Sequence, residues 1–111
     1  MKAAIVFHSV CGNGYLIARE FAGRLQDSGV QAVLYRVADP AWVEKPDLSP
    51  AARENLRAMR AVAQATPQDL AAADLIIMGS PTYFGNVSAA MKAFMDATGG
   101  LWIKGALAGK K

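Results

Sequence analysis

Between Ala3 and Val37 the hydrophobic period of the chain changes twice, and this alternation restricts the fold more than any other feature. Ala3 to Phe7, "AAIVF", is a continuous apolar run of the kind buried on both faces of a parallel sheet. From about Gly14 the spacing becomes helical: Ile17, Phe21 and Leu25 share a stripe with Ala18 and Ala22, while Arg19, Glu20 and Arg24 lie off it. "DSG" closes that helix, with Gly29 expected as its left-handed C-terminal residue. "VQAVLYRV", residues 30 to 37, then reads as a second strand. Strand, helix and strand in so short a span form a βαβ unit, which predicts parallel strands joined by a right-handed crossover.

The rest of the chain continues in the same manner. Residues 38 to 72 read as a helical excursion from the sheet. Pro40 and Pro46 mark a surface segment, and Ser49-Pro50 supplies the N-cap and first-turn proline of a helix expected to reach about Ala65. Leu56, Met59 and Val62–Ala63 form its apolar stripe, with Arg53, Arg57 and Arg60 on a solvated face. Thr66-Pro67-Gln68-Asp69 looks like a second helix start with a capping box. "ADLIIMGS" is a third strand ending near Gly79. A last helix is expected from about Val87 to Ala97, stopped by Gly99-Gly100, with Met91, Phe94 and Met95 on its core face. The 111 residues suit one α/β domain spanning 1–111, with strand order 2-1-3.

Composition removes several function classes. Hydrophobic residues make up 53% of the chain, which argues against disorder. The net charge is only +3, with basic residues scattered from Lys2 to Lys111 and no basic run interleaved with aromatics, so no nucleic-acid partner is expected. A single cysteine makes no internal disulfide and fits a reducing cytoplasm. The N-terminal apolar run is too short for a signal peptide, and nothing approaches the roughly 18 apolar residues of a membrane span. A soluble cytoplasmic protein is expected. His8, the one histidine, has no companions for a metal site and reads as a strand-end residue satisfied by backbone.

Two loops leave the carboxyl ends of the first and third strands: Ser9–Gly14 and Ser80–Asn86. With order 2-1-3 they flank the point where strand order reverses, the usual ligand position in open α/β sheets. In the first, "SVCGNG", small residues let several backbone N–H groups face one point at a helix start, which favours an anion such as phosphate. Ser9 adds a hydroxyl, and Asn13 either donates or takes an unusual backbone angle. The plainer alternative is a tight turn needing Gly12 and Gly14 for geometry alone. The loop is neither G-x-x-x-x-G-K-[ST] nor G-x-G-x-x-G, which weighs against ATP and dinucleotides. In the second, "GSPTYFGN", Tyr83 and Phe84 either cap the core or pack against a planar ring whose phosphate tail lies in the first loop. Cys11 reads as a small loop residue in preference to a redox-sensing or cofactor-adduct thiol near a helix start. Trp42 reads as a packing or oligomer contact.

"SVCGNGY" and "SPTYFGNVSAAMKAFMDATGGLW" together resemble the flavodoxin-like flavoproteins, and the second stretch is especially similar to the tryptophan-repressor-binding-protein type of NAD(P)H:quinone oxidoreductase. The resemblance covers most of residues 1 to 108. It implies a flavodoxin-like doubly wound parallel sheet and FMN as cofactor. The phosphate would lie on Ser9, Val10, Cys11, Gly12, Asn13 and Gly14, and the isoalloxazine ring on Pro81, Thr82, Tyr83, Phe84, Gly85 and Asn86. Trp102 would line the pocket where quinone or nicotinamide stacks. The implied activity is hydride transfer from NAD(P)H to FMN, then two-electron reduction of a quinone. The flavin carries that chemistry, so no side-chain acid, base or nucleophile is required. A homo-oligomer is the family tendency.

Three departures from the family pattern stand out. Gly14 occupies a position where flavodoxins often place a threonine hydroxyl on the phosphate. Cys11 stands where the quinone reductases often place a tyrosine near the nicotinamide. The family also continues with two more strands and a third flavin-contacting loop, whereas this sequence stops at "GALAGKK". Strands 4 and 5 of the family sheet are thus expected to be missing, leaving "DLIIMG" as an apolar edge and implying a truncated chain or a partner that covers it. Two alternatives accompany the quinone reductase reading. One is a non-enzymatic flavodoxin-type electron carrier, disfavoured by a pI near 9.2 because such carriers are usually acidic. The other is a chain with this architecture that binds no flavin.

Overall fold

The computed structural model describes residues Met1 to Lys111. Three strands form one parallel sheet in the order β2-β1-β3: β1 is Lys2–Phe7, β2 Gln31–Arg36 and β3 Leu75–Gly79. Ala4 lies opposite Val33 on one side and Ile76 on the other, and the register continues without a bulge. The expected strand order is the one observed.

Alternation along β1 divides the core into two layers. Ala3, Ile5 and Phe7 face α1 (Asn13–Asp27) and α2 (Pro50–Ala61), where they meet Tyr15, Ala18, Ala22, Leu56 and Met59. Ala4 and Val6 face α3 (Pro67–Ala71) and the C-terminal helices, against Leu70, Met91 and Phe94. An apolar run without alternation is what a strand covered on both faces requires. Both layers meet at β1, whose residues from Ala3 onward are fully buried.

Several boundaries differ from the sequence expectation, each for a local reason. α1 presents its small residues to the sheet, with Tyr15, Ala18 and Ala22 buried, so Ile17 and Phe21 are left exposed on its flank. α2 ends at Ala61 rather than Ala65. From Val62 the backbone is extended, and it pairs with the outer edge of β2: the Arg36 N–H donates to the Ala63 carbonyl at 2.9 Å, and the Ala65 N–H donates to that of Arg36 at 2.8 Å. This pairing covers one sheet edge. Arg60 is not simply solvated, since its guanidinium lies 4.6 Å from the Trp42 ring centre.

A small hairpin follows β3 that the periodicity does not signal. β4 (Thr82–Tyr83) and β5 (Asn86–Val87) pair antiparallel through a two-residue turn in which Phe84 (φ 53°) and Gly85 (φ 77°) both have positive φ. Two successive positive φ values are the signature of the primed turn that matches strand twist. α4 then covers Ala89–Ala97. Gly99 does not stop the helical segment but opens a short α5, Gly99–Ile103. Met95 is partly exposed, whereas Met91 and Phe94 are buried. On the outer edge of β3, the Lys111 N–H donates to the Asp74 carbonyl and its own carbonyl accepts from Ile76. No helix is long and apolar enough to cross a membrane.

Candidate functional site

The loop after β1 turns on Gly12, whose φ of 100° is closed to most side chains. Its N–H donates to the Ser9 hydroxyl oxygen at 3.1 Å, leaving the hydroxyl proton available to another acceptor. Gly12 is also the N-cap of α1, and a glycine has no side-chain oxygen to offer there. The N–H groups of Asn13, Gly14 and Tyr15 therefore lack the capping partner that a serine or aspartate would supply. No acidic residue lies in the first turn of α1 to oppose a bound anion. Gly14 has no constraint like that of Gly12: a Cβ there would lie 3.4 Å from the His8 carbonyl oxygen and from the Ser9 Cβ, an ordinary contact.

Beside this loop lies a cavity of about 450 Å³, within the size range of small-molecule sites. Ser9, Val10, Cys11, Asn13 and Gly14 line one side, and Pro81 and Tyr83 the other. Ile17 and Phe21 of α1 and Ile77 and Met78 of β3 extend it as an apolar trough. The fold thus brings together most of the first predicted loop and two members of the second. The remaining predicted residues lie elsewhere. Gly12 is buried behind the loop, toward Leu56. Thr82, Gly85 and Asn86 are exposed on the hairpin outside the cavity, and Phe84 is fully exposed at its tip. Trp102, on α5, is 78% exposed and does not reach the cavity walls.

The sequence reading missed Ile17, Phe21, Ile77 and Met78 as cavity residues. Their apolar spacing was the available signal, but it is the same signal that a core helix and strand give. His8 departs from the backbone-satisfied strand end expected of it. Its ring is satisfied by side chains rather than backbone: Nδ1 lies 2.6 Å from the Ser88 Oγ and Nε2 lies 2.6 Å from Asp39 Oδ2. Trp42 closes the far side of the first loop, donating from Nε1 to the Val10 carbonyl at 2.9 Å. Away from the cavity, on β2, burial and then the neighbouring Asp69 carboxylate raise the Tyr35 phenol above its usual value.

A profile of the family described as NADPH-dependent FMN reductase matches this sequence over residues 1–111. The chain belongs to that family. Curated relatives called NAD(P)H dehydrogenase (quinone) include one from Deinococcus radiodurans, 42% identical over 110 residues, spanning 99% of this chain and 55% of that protein. Another, from Geobacter metallireducens, is 42% identical and spans 99% of this chain and 54% of that protein. The family member described here therefore spans about half the length of the curated relatives it matches. Among solved structures it is similar to a flavodoxin, WrbA-like protein from Agrobacterium tumefaciens, with a TM-score of 0.63 at 26% identity. That match covers 95% of this chain and 52% of the other. The flavodoxin-like architecture expected from the two loops is thus the observed one.

Proposed function

We propose that this chain binds FMN across the two loops and serves electron transfer from NAD(P)H to a quinone-type acceptor. The observation that carries the reading is the cavity at the carboxyl ends of β1 and β3, walled on one side by an uncapped helix start. Its residues fit the cofactor in two respects. The open N–H groups of Asn13–Tyr15 and the free Ser9 hydroxyl proton suit a phosphate dianion. The apolar trough of Ile17, Phe21 and Ile77 beside Pro81 and Tyr83 suits a flat ring system.

When bound, FMN supplies the two-electron chemistry, accepting a hydride equivalent from reduced nicotinamide and releasing the pair to a quinone. The chain's own part is to hold and exclude. Gly12 sets the turn that aims the N–H groups, Ser9 donates to phosphate, and Tyr83 and Pro81 form the ring-side wall. Val10, Cys11, Asn13 and Gly14 would complete the phosphate side, and Thr82, Phe84, Gly85 and Asn86, which lie outside the cavity on the hairpin, would hold the flavin only through that hairpin's backbone. The relatives' names are the support for quinone as acceptor and NAD(P)H as donor. The same reading places the protein in the cytoplasm as a homo-oligomer, in which exposed Phe84, Trp102 and Ile103 are covered by another copy and Trp102 meets the substrate pocket.

Titration with FMN and with riboflavin tests the reading directly. Bound FMN develops a protein-perturbed flavin spectrum, and Ser9→Ala weakens FMN more than riboflavin because only FMN carries the phosphate. Equal weakening of both removes the phosphate assignment. No uptake of either flavin favours the alternative of a flavin-free chain. With flavin bound, bleaching by NADPH and turnover with quinone separate an enzyme from an electron carrier.

A further inference from the structure

We propose that His8 is a positioning residue that sets both walls of the cavity at once, an inference that rests on the flavin-site reading for its functional meaning. The directions of its hydrogen bonds follow from the chemistry of its partners. The Asp39 carboxylate only accepts, so the proton on Nε2 points to it; Nδ1 then accepts from the Ser88 hydroxyl. Ser88 commits its single proton to the ring, and its oxygen accepts the Met91 N–H at 3.2 Å, capping α4. Ser88 is only 1% exposed and does not line the cavity, so its hydroxyl is not a nucleophile, whereas the buried His8 borders the cavity from behind the first loop.

Two arms run from the imidazole. Through Ser88 one reaches the ring-side wall: the Ser88 N–H donates to the Ser80 Oγ at 2.9 Å, and the Ser80 hydroxyl donates to the Pro81 carbonyl at 2.9 Å. Through Asp39 the other reaches the phosphate-side wall: the Trp42 N–H donates to the Asp39 carbonyl, and the Trp42 indole donates to the Val10 carbonyl. Pro81 and Val10 both line the cavity, on opposite sides. Two further cations, Arg36 and Arg60, border the small depression next to His8 and Asp39. Arg36 Nε donates to the Val62 carbonyl and Arg60 lies over Trp42, so the side-chain partner of the Asp39 carboxylate is the imidazole N–H.

The chain has one histidine, so a ¹⁵N spectrum of the imidazole carries one pair of ring signals. The neutral ring of the wild-type protein is expected to carry its proton on Nε2 with Nδ1 bare; the opposite tautomer overturns the proposal without any variant. Coupling is read by amide exchange. Asp39→Asn, nearly isosteric, is expected to speed exchange at Ser88 and Met91 about tenfold relative to the β1 core, although these residues belong to the N-cap and first turn of α4, far from Asp39 in sequence. Reciprocally, Ser88→Ala should speed exchange of the Trp42 indole. A merely structural role loosens each variant only around its own site, and that result sinks the idea. FMN titration of the wild type is scored separately: its failure removes the flavin reading, while exchange and tautomer report on His8 in the flavin-free chain.

Discussion

Ser88 and Ser49 occupy the same helical position in very different surroundings, and replacing each by alanine separates capping from burial. Ser49 is exposed and accepts the Ala52 N–H at 3.1 Å, closing the first turn of α2. Its loss should cost about 1 kcal/mol, the usual value of a serine cap. Ser88 makes the equivalent bond to Met91 and also gives its proton to His8 Nδ1 inside the core. Ser88→Ala leaves that ring nitrogen buried without a donor, an added penalty of about 1–3 kcal/mol. The total is then about 2–4 kcal/mol, a large share of the stability of a domain this size. Urea unfolding followed by far-ultraviolet circular dichroism measures both, provided the denaturant slopes of the variants match. Equal losses for the two serines would show that the His8–Ser88 hydrogen bond contributes nothing beyond the cap.

Other outcomes follow from the backbone and from titration. Phe84 sits at positive φ with its ring in solvent, so Phe84→Asn should stabilise the hairpin by about 1 kcal/mol and slow amide exchange across β4 and β5. No slowing would mean the turn is unstrained. Gly12→Ala should destabilise by about 1–2 kcal/mol because φ is 100° there, whereas Gly14→Ala meets neighbours at ordinary contact distance and should change stability by less than about 1 kcal/mol; thermal melts rank the pair. Burial and Asp69 hold the Tyr35 phenol neutral in the folded chain. Its raised value gives stability that is present below the unfolded phenol value of about 10 and lost as pH rises through the folded one. Tyr35→Phe should flatten that alkaline loss, read as urea midpoint against pH.

The sheet was legible because its signals are local and redundant. "AAIVF" and "DLIIMG" are continuous apolar runs separated by helical spacing, and few topologies accommodate them. Boundaries set by distant partners were not legible. α2 ends early because Ala63 and Ala65 bond to Arg36 on a strand far away in sequence, and no property of "AVAQA" announces that edge. At the site, the first loop was readable from its small residues, since the positive φ that Gly12 adopts is a need intrinsic to the residue. Ile17 and Phe21 were misassigned to the core because period identifies a stripe but not what covers it. His8 was misjudged for a similar reason: Asp39 and Ser88 become its neighbours only through the strand order.

The central place of β1 also has a consequence for how the molecule is reached from the unfolded chain. Ala3 pairs with Ala32, 29 residues away, and with Leu75, 72 residues away. Closing the longer loop costs about 0.8 kcal/mol more in chain entropy than closing the shorter one. The segment from Lys2 to Arg36 is therefore the cheaper place to begin, with β3 arriving late on a surface already formed. The cavity, which needs the carboxyl ends of both β1 and β3, exists only after β3 has docked. Assembly of the binding site and completion of folding are on this account a single event.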